Sequence, residues 1–212
     1  MENIYFLDIN SLKNKFSYNE IFNKVSLYRK RKVDKLKYEK DKWLSLGAEY
    51  LLMKGLEELN IDYSKIEIDF KENSKPIFKN CPQKLHFNLS HSGEMAMCVI
   101  SDYEVGCDIQ KIEDKDNYLE IAERFFHPKE IQIIKKAKKE EQKELFYRIW
   151  TLKESFIKAT GKGFQTPLKD FKICLDNNKP VVFIKDKLDN SFKLEEKDVG
   201  NSNYKSAVTI II

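Results

Sequence analysis

The sequence predicts an α/β protein built as two similar lobes, and three observations carry that prediction. Apolar residues recur first at helical spacing and then at strand spacing, and this progression runs twice along the chain. The break between the two runs falls near residue 103, so lobes are expected over 1–103 and 104–212. Only 7 Gly and 5 Pro occur in 212 residues, and no low-complexity linker divides the halves, so the lobes are expected to pack tightly. No residue-level repeat accompanies the pattern, which makes the likeness of the halves one of coarse order only.

The first lobe opens with a short apolar run over 4–8, read as a strand. Ile21, Phe22, Val25 and Tyr28 have helical spacing over 18–30. The Gly-poor stretch 32–59 repeats Trp43, Leu46, Tyr50 and Met53 every three or four residues, a helix of several turns. Ile66, Ile68 and Phe70 alternate with charged residues as in a strand, and 73–76 reads as turn chemistry. Strands follow at 85–89 and 95–100, with 90–94 as a tight loop between them, and at 105–112. In the second lobe, 117–126 reads as a helix. Pro128 suits the first turn of another over 129–139. A strong helix over 142–160 is capped by Gly161. Strands at 171–175, 181–184, 192–196 and 207–212 close the second lobe.

Composition narrows the function classes. Lys+Arg is 38 and Asp+Glu is 34, a net charge of +4, which excludes an acidic or basic tail and a histone-like binder. Hydrophobic residues at 42% and charged residues at 34% describe a folded globule rather than a disordered chain. The cysteines Cys81, Cys98, Cys107 and Cys174 form no C-x-x-C pair, and three His leave little for a structural zinc site. The N-terminal residues lack the basic and apolar segments of a signal peptide, and no apolar run reaches the roughly 18 residues a membrane helix needs. The expectation is a reduced, cytoplasmic protein with no membrane partner.

Four constellations can carry chemistry. On the strand 105–112, Asp108 and Gln110 share one face, and an acid beside an amide can hold a hard metal ion through oxygen. The same pair also fits an ordinary solvent-facing strand. On the helix 142–160, Leu145, Ile149, Leu152 and Phe156 form the apolar stripe, while Tyr147, Thr151, Glu154 and Lys158 lie roughly opposite. Glu154 and Lys158, four apart, can place a carboxylate and an ammonium at a cleft edge, or can form an exposed ion pair worth about 0.3–0.5 kcal/mol. Ser90 and His91 lie between two buried strands and suit a rigid binding loop; no G-x-S-x-G elbow surrounds Ser90. The basic run 28–32 fits either a solvated helix face or a phosphate clamp. The absence of a zinc, GxxG or RNP motif weighs against nucleic acid.

Each signal is weak alone, but their order is specific. FNLSHS at 87–92, VGCDIQK at 105–111 and FYRIWTLKESFIKATGKG at 146–163 closely resemble the 4′-phosphopantetheinyl transferase superfamily. The closest match is the Sfp type, which activates peptide synthetases. That family typically reads (I/L)SHS, then (I/V)G(I/V)D(I/V)E, then W(S/T)xKE(S/A)xxK. The resemblance runs over nearly the whole chain. It implies an α+β fold of two pseudo-twofold-related lobes in one monomeric chain, each with helices packed on a mainly antiparallel sheet.

It also implies an activity: transfer of phosphopantetheine from coenzyme A to a serine of an apo acyl or peptidyl carrier protein, releasing 3′,5′-ADP. By carry-over, Asp108 and Glu154 hold Mg²⁺, Glu154 takes the serine proton, and Lys158 stabilises the leaving group. Ser90 and His91 contact the phosphates, Arg29 and Lys32 clamp the 3′-phosphate, and Lys75 and Ser45 lie near the adenosine. One departure stands out: Gln110 occupies the place of a second acid in the closest relatives. An amide binds Mg²⁺ less tightly, so a raised Mg²⁺ requirement or tolerance of Mn²⁺ is expected. The segment 117–139, with Phe125 and Phe126, is a candidate carrier-facing flap or simply core. A non-catalytic module that binds coenzyme A or a carrier protein is the alternative.

Overall fold

The computed structural model of the protein describes residues 1–69, 75–114, 116–161, 166–176 and 179–212. The chain forms two compact units, Met1–Val105 and Gly106–Ile212. Part of the turn expected at 73–76, and Phe70 of the strand expected before it, lie outside the described residues, as do Lys162 and Gly163 at the end of the third motif.

In the first unit, β1 (Glu2–Asp8) leads into the short α1 (Ile9–Lys13), which Asp8 caps by accepting from Asn10 N. The apolar spacing over 18–30 does not make one helix. It is divided into α2 (Tyr18–Lys24) and α3 (Leu27–Asp34), because two serines each start a helix. Ser17 forms a capping box with Glu20, and Ser26 Oγ accepts from Arg29 N. The long helix begins later than its periodicity implies, as α4 (Glu39–Glu58). The short strands β2 (Ile68–Asp69) and β3 (Ile77–Phe78) pair antiparallel.

The hairpin of β4 (His86–Ser92) and β5 (Met95–Ser101) then completes a three-stranded antiparallel sheet in the order β1-β5-β4. Here the structure corrects the expected loop at 90–94. Ser90, His91 and Ser92 belong to β4, in register with Met97, Ala96 and Met95. Gly93 at φ 60° and Glu94 alone make the turn. Helix α4 is buried on two sides. Ala48, Leu52 and Leu56 pack on Ala96, Cys98 and Ile100 of the sheet, while Trp43, Leu44 and Leu46 meet Ile9, Leu12, Ile21 and Val33.

The second unit takes in β6 (Val105–Lys111), α5 (Tyr118–Phe125), α6 (Pro128–Lys136) and α7 (Lys139–Thr160). It continues with β7 (Phe171–Asp176), β8 (Lys179–Ile184), β9 (Lys187–Leu188), β10 (Phe192–Glu196) and β11 (Tyr204–Ile211). Two three-stranded sheets result, β10-β11-β6 and β7-β8-β9. The N-terminal half of α7 packs Phe146 and Ile149 on Tyr118, Ala122, Phe126 and Ile134. Its C-terminal half packs Leu152, Phe156 and Ile157 on Phe171, Ile173, Val182, Leu194 and Ala207. Gly161, at φ 66°, ends the helix in the left-handed cap its position implies. Each unit thus sets one long helix against antiparallel strands, the α/β architecture expected from the sequence. No helix among the described residues is long and apolar enough to cross a membrane. All four cysteines are free thiols.

The second unit also holds an ion pair that the sequence pattern hides. Lys153 and Glu130 are fully buried and meet at 2.8 Å. Lys153 Nζ also donates to Phe171 O at 2.8 Å and lies 4.2 Å from the Phe171 ring centre. Glu130, in the capping box of α6, accepts from His127 N and Ile173 N besides Lys153. One carboxylate therefore ties α6 to α7 and β7. Burial pulls Lys153 down to about 8, against the opposing pull of Glu130. Lys153→Met removes the cation and strands a buried carboxylate, so unfolding in urea is expected to show a loss of about 3–5 kcal/mol. The double change Lys153→Met with Glu130→Gln is expected to recover part of that loss. A single change within about 0.5 kcal/mol of the parent, the range of ordinary surface substitutions, would contradict the assignment of this pair as the node.

Candidate active site

The chemistry-bearing residues of the second unit converge through one close approach of backbone. Gly106 on β6 lies directly against α7. A methyl group there would run into the carbonyl of Ser155 and the amide of Ala159. The helix face turned to the sheet is lined by small residues at four-residue steps, Thr151, Ser155 and Ala159, all buried. Ser155 Oγ shares a 2.8 Å hydrogen bond with Thr209 Oγ1 on β11. Thr151 therefore does not lie on an open polar face with Glu154 and Lys158, as helical spacing alone implies.

Two residues beyond Gly106, Asp108 is brought to the same helix. Its Oδ1 accepts from Lys158 Nζ at 2.6 Å, and its Oδ2 accepts from Gln110 Nε2 at 3.2 Å. Asp108 is only 2% exposed, which overturns the solvent-facing strand as its setting. Gln110 and Lys158 are partly exposed. Glu154, half-buried one turn before Lys158, holds its proton more tightly than an ordinary glutamate. Burial is the main cause and the Asp108 carboxylate the second, with Lys158 pulling the other way. For Lys158, burial is the largest single influence and lowers its affinity for protons. Asp108 and Glu154 outweigh it and hold the ammonium protonated above its usual range.

This donor set suits a hard divalent cation. Mg²⁺ takes oxygen ligands, typically one or two carboxylates completed by water and substrate phosphate. Among the described residues no group of three or more His, Cys, Asp or Glu gathers. The set here is two mutually repelling carboxylates, with the Lys158 ammonium and the Gln110 amide both on Asp108.

The first unit holds the other candidates. Arg29, in the basic run that fits either a solvated helix face or a phosphate clamp, is 4% exposed. Its Nε donates to Glu49 Oε2 at 2.7 Å and its Nη1 to Ser45 Oγ at 3.0 Å. Ser45 is fully buried beneath it. Lys32, further along α3, is exposed. Lys75 Nζ pairs with Glu104 at 2.8 Å, and His86 Nδ1 lies 3.2 Å from the same carboxylate. Burial opposes ionisation of Glu104, but Lys75 with His86 and Lys84 hold it below its ordinary value. Ser90 is buried and His91 half-buried on β4. By alternation His91 shares its face with Phe87 and Leu89, which pack against the α4 core. Of the two aromatic residues in 117–139, Phe126 is core, stacked on Phe146 at 5.3 Å, while Phe125 is 38% exposed.

Sequence reasoning missed Lys153, Glu130, Glu49 and Tyr63. A signal existed for Lys153, because it falls four residues after Ile149 and three before Phe156, on the apolar side of the helix.

The family model described as 4′-phosphopantetheinyl transferase superfamily matches residues 104–209, and that described as 4′-phosphopantetheinyl transferase, N-terminal, matches 13–102. The chain is 38% identical over 149 residues to 4′-phosphopantetheinyl transferase gsp of Aneurinibacillus migulanus, covering 70% of this chain and 61% of that protein. It is 34% identical over 158 residues to 4′-phosphopantetheinyl transferase Sfp of Bacillus subtilis, covering 74% of this chain and 69% of that one. Among solved structures, holo-[acyl-carrier-protein] synthase of Thermotoga maritima matches 51% of this chain and 62% of its own at a TM-score of 0.43 and 22% identity. The two family models and the curated relatives lead to one conclusion: the chain belongs to the 4′-phosphopantetheinyl transferase superfamily.

Proposed function

We propose that the chain is a transferase of the Sfp type, moving the 4′-phosphopantetheine group of coenzyme A onto a serine hydroxyl of an apo acyl or peptidyl carrier protein. The observation that supports this reading most is the cluster of Asp108, Glu154 and Lys158, in which Asp108 and Lys158 meet at 2.6 Å beside a proton-avid glutamate. In this reading residues 104–212 carry the reacting groups and residues 1–103 carry the groups that bind coenzyme A.

The serine oxygen forms a bond to the phosphorus that bears pantetheine. The bond from that phosphorus to the bridging oxygen breaks, and 3′,5′-ADP leaves with the electron pair. Glu154 accepts the serine proton, and the upward shift of its affinity for protons suits a base. Lys158, fixed by Asp108, presents a charge already in place toward the leaving oxygen, which costs no reorganisation during the reaction. Asp108, Glu154 and Gln110 are the residues that would hold Mg²⁺ or Mn²⁺. That ion, when bound, neutralises charge on the pyrophosphate. Arg29 and Lys32 take the 3′-phosphate, Ser90 and His91 the pyrophosphate, and Lys75 and Ser45 lie toward the adenosine. Exposed Phe125 and Ile133 within 117–139 offer an apolar surface to the carrier. The reading extends to a monomeric, cytoplasmic enzyme.

The test is the mass of an apo carrier protein after incubation with this protein, coenzyme A and Mg²⁺. A gain of one phosphopantetheine, abolished by a chelator, is the expected result. No gain with acyl and peptidyl carriers alike, despite measurable coenzyme A binding, overturns transfer and favours a binding module.

A further inference from the structure

The acid that holds Arg29 is fully buried and is used by nothing in the transfer chemistry. Glu49 lies on α4 four residues after Ser45, so both reach the same side of the helix. Its carboxylate collects three donors from outside α4. Oε2 takes Arg29 Nε at 2.7 Å. Oε1 takes the backbone N–H of Ser26 at 2.7 Å and the hydroxyl of Tyr63 at 2.5 Å. Burial is the main reason, with the Glu49 charge second, that the Tyr63 phenol titrates far above its usual range, so it remains a donor to the acid.

Two of these donors belong to one short segment. Ser26 is the N-cap of α3 and Arg29 stands three residues on, with Ser26 Oγ also accepting from Arg29 N at 3.1 Å. One carboxylate therefore holds both the backbone N–H of the residue that caps the helix and the first basic side chain within it. A guanidinium has five N–H donors in a rigid plane. Glu49 and Ser45 occupy one on Nε and one on Nη1, which fixes the plane in both tilt and rotation. A buried ion pair gives little net stability for the desolvation it requires, so its directional value is the better account of its presence. Lys32 rides on the same α3, so its position follows from the same anchor.

We propose that Glu49 is a positioning residue for the 3′-phosphate of coenzyme A, acting through Arg29 and the start of α3, and so sets discrimination between coenzyme A and its 3′-dephospho form. This rests on the assignment of Arg29 and Lys32 above. In Glu49→Gln one face of the side chain must present an amide N–H to a donor, either Arg29 Nε or Ser26 N, so one of the two anchors is lost. Tyr63→Phe removes a single donor and leaves the ion pair, a milder change that preserves the fold.

The experiment is calorimetric titration of the full chain and both variants with coenzyme A and with dephospho-coenzyme A, alongside KM for each in carrier modification. Glu49→Gln is expected to weaken coenzyme A about ten-fold, near 1.4 kcal/mol, and dephospho-coenzyme A less than two-fold, with kcat little changed. Tyr63→Phe is expected to shift the same ratio by a smaller factor. Equal weakening of both ligands, or lowered thermal stability with an unchanged ratio, overturns the proposal and leaves Glu49 as a structural anchor. A parent protein that does not discriminate between the ligands overturns it even where transfer is observed. A parent that discriminates but transfers nothing, with the variant ratios as expected, leaves it standing while the transfer reading fails.

Discussion

Gly106→Ala is expected to lose about 1–3 kcal/mol of stability and at least about a hundred-fold in transfer rate. The added methyl meets backbone, the Ser155 carbonyl and the Ala159 amide, and backbone cannot swing aside as a long side chain can. Strand β6 and helix α7 must move apart. That separation acts directly on Asp108, two residues along the strand, and on Lys158, one residue before Ala159, whose charged atoms stand 2.6 Å apart. Misplacing a reacting group by roughly 1 Å costs on the order of 10²-fold in rate. Urea unfolding followed by circular dichroism measures the first effect, and kcat/KM for carrier modification the second. A variant as active and as stable as the parent would show that the two elements can separate without disturbing the acid–lysine pair.

The second large effect separates activity from stability. Glu154→Gln is expected to reduce transfer by about 10²–10⁴-fold, the usual contribution of a general base, while raising the melting temperature of chelator-treated protein. The sign follows from linkage. The Glu154 carboxyl binds its proton more tightly in the folded chain, through burial first and Asp108 second. Its contribution to stability is therefore full below the unfolded value near 4.3 and is lost as pH rises through the higher folded value. At neutral pH the ionised side chain opposes folding, and glutamine removes that opposition. Each 1 kcal/mol recovered corresponds to about 2–4 °C for a chain of 150–250 residues. Mg²⁺ is expected to stabilise the parent more than the variant. An active variant with a lowered melting temperature would sink both the base and the electrostatic account.

The residues proposed to react could be singled out because their chemistry and spacing are local. Asp108 follows Gly106 by the two-residue step of a strand, and Glu154 and Lys158 are one helical turn apart. Helix α7 and its Gly161 cap were legible for the same reason. What escaped was non-local. Arg29 reads as a surface charge until Glu49, twenty residues on, is seen to bury with it. Lys153 falls on the apolar side of its helix, but its partners, Glu130 and the Phe171 carbonyl, come from other elements. Charge alone does not mark exposure when the partner comes from another element. Turn chemistry misled in the other direction: Ser90, His91 and Ser92 favour turns, but pairing with Met95–Ser101 extends β4 through them and leaves the reversal to Gly93 and Glu94. The single helix implied over 18–30 fails at Ser26, whose side chain serves the next helix as its cap.

The distribution of thiols provides an unplanned experimental handle. Cys98 and Cys107 are wholly enclosed, whereas Cys81 and Cys174 are partly open, one in each compact unit. Burial foremost pushes the Cys174 thiol up, so its thiolate is scarce at neutral pH and its alkylation is slow there. A thiol-directed dye or nitroxide at these two partly open positions can mark the native chain with one reporter per unit. Distance measurements between the two reporters, with and without the ligands proposed above, then test whether the units move at all, with no cysteine engineered in or out.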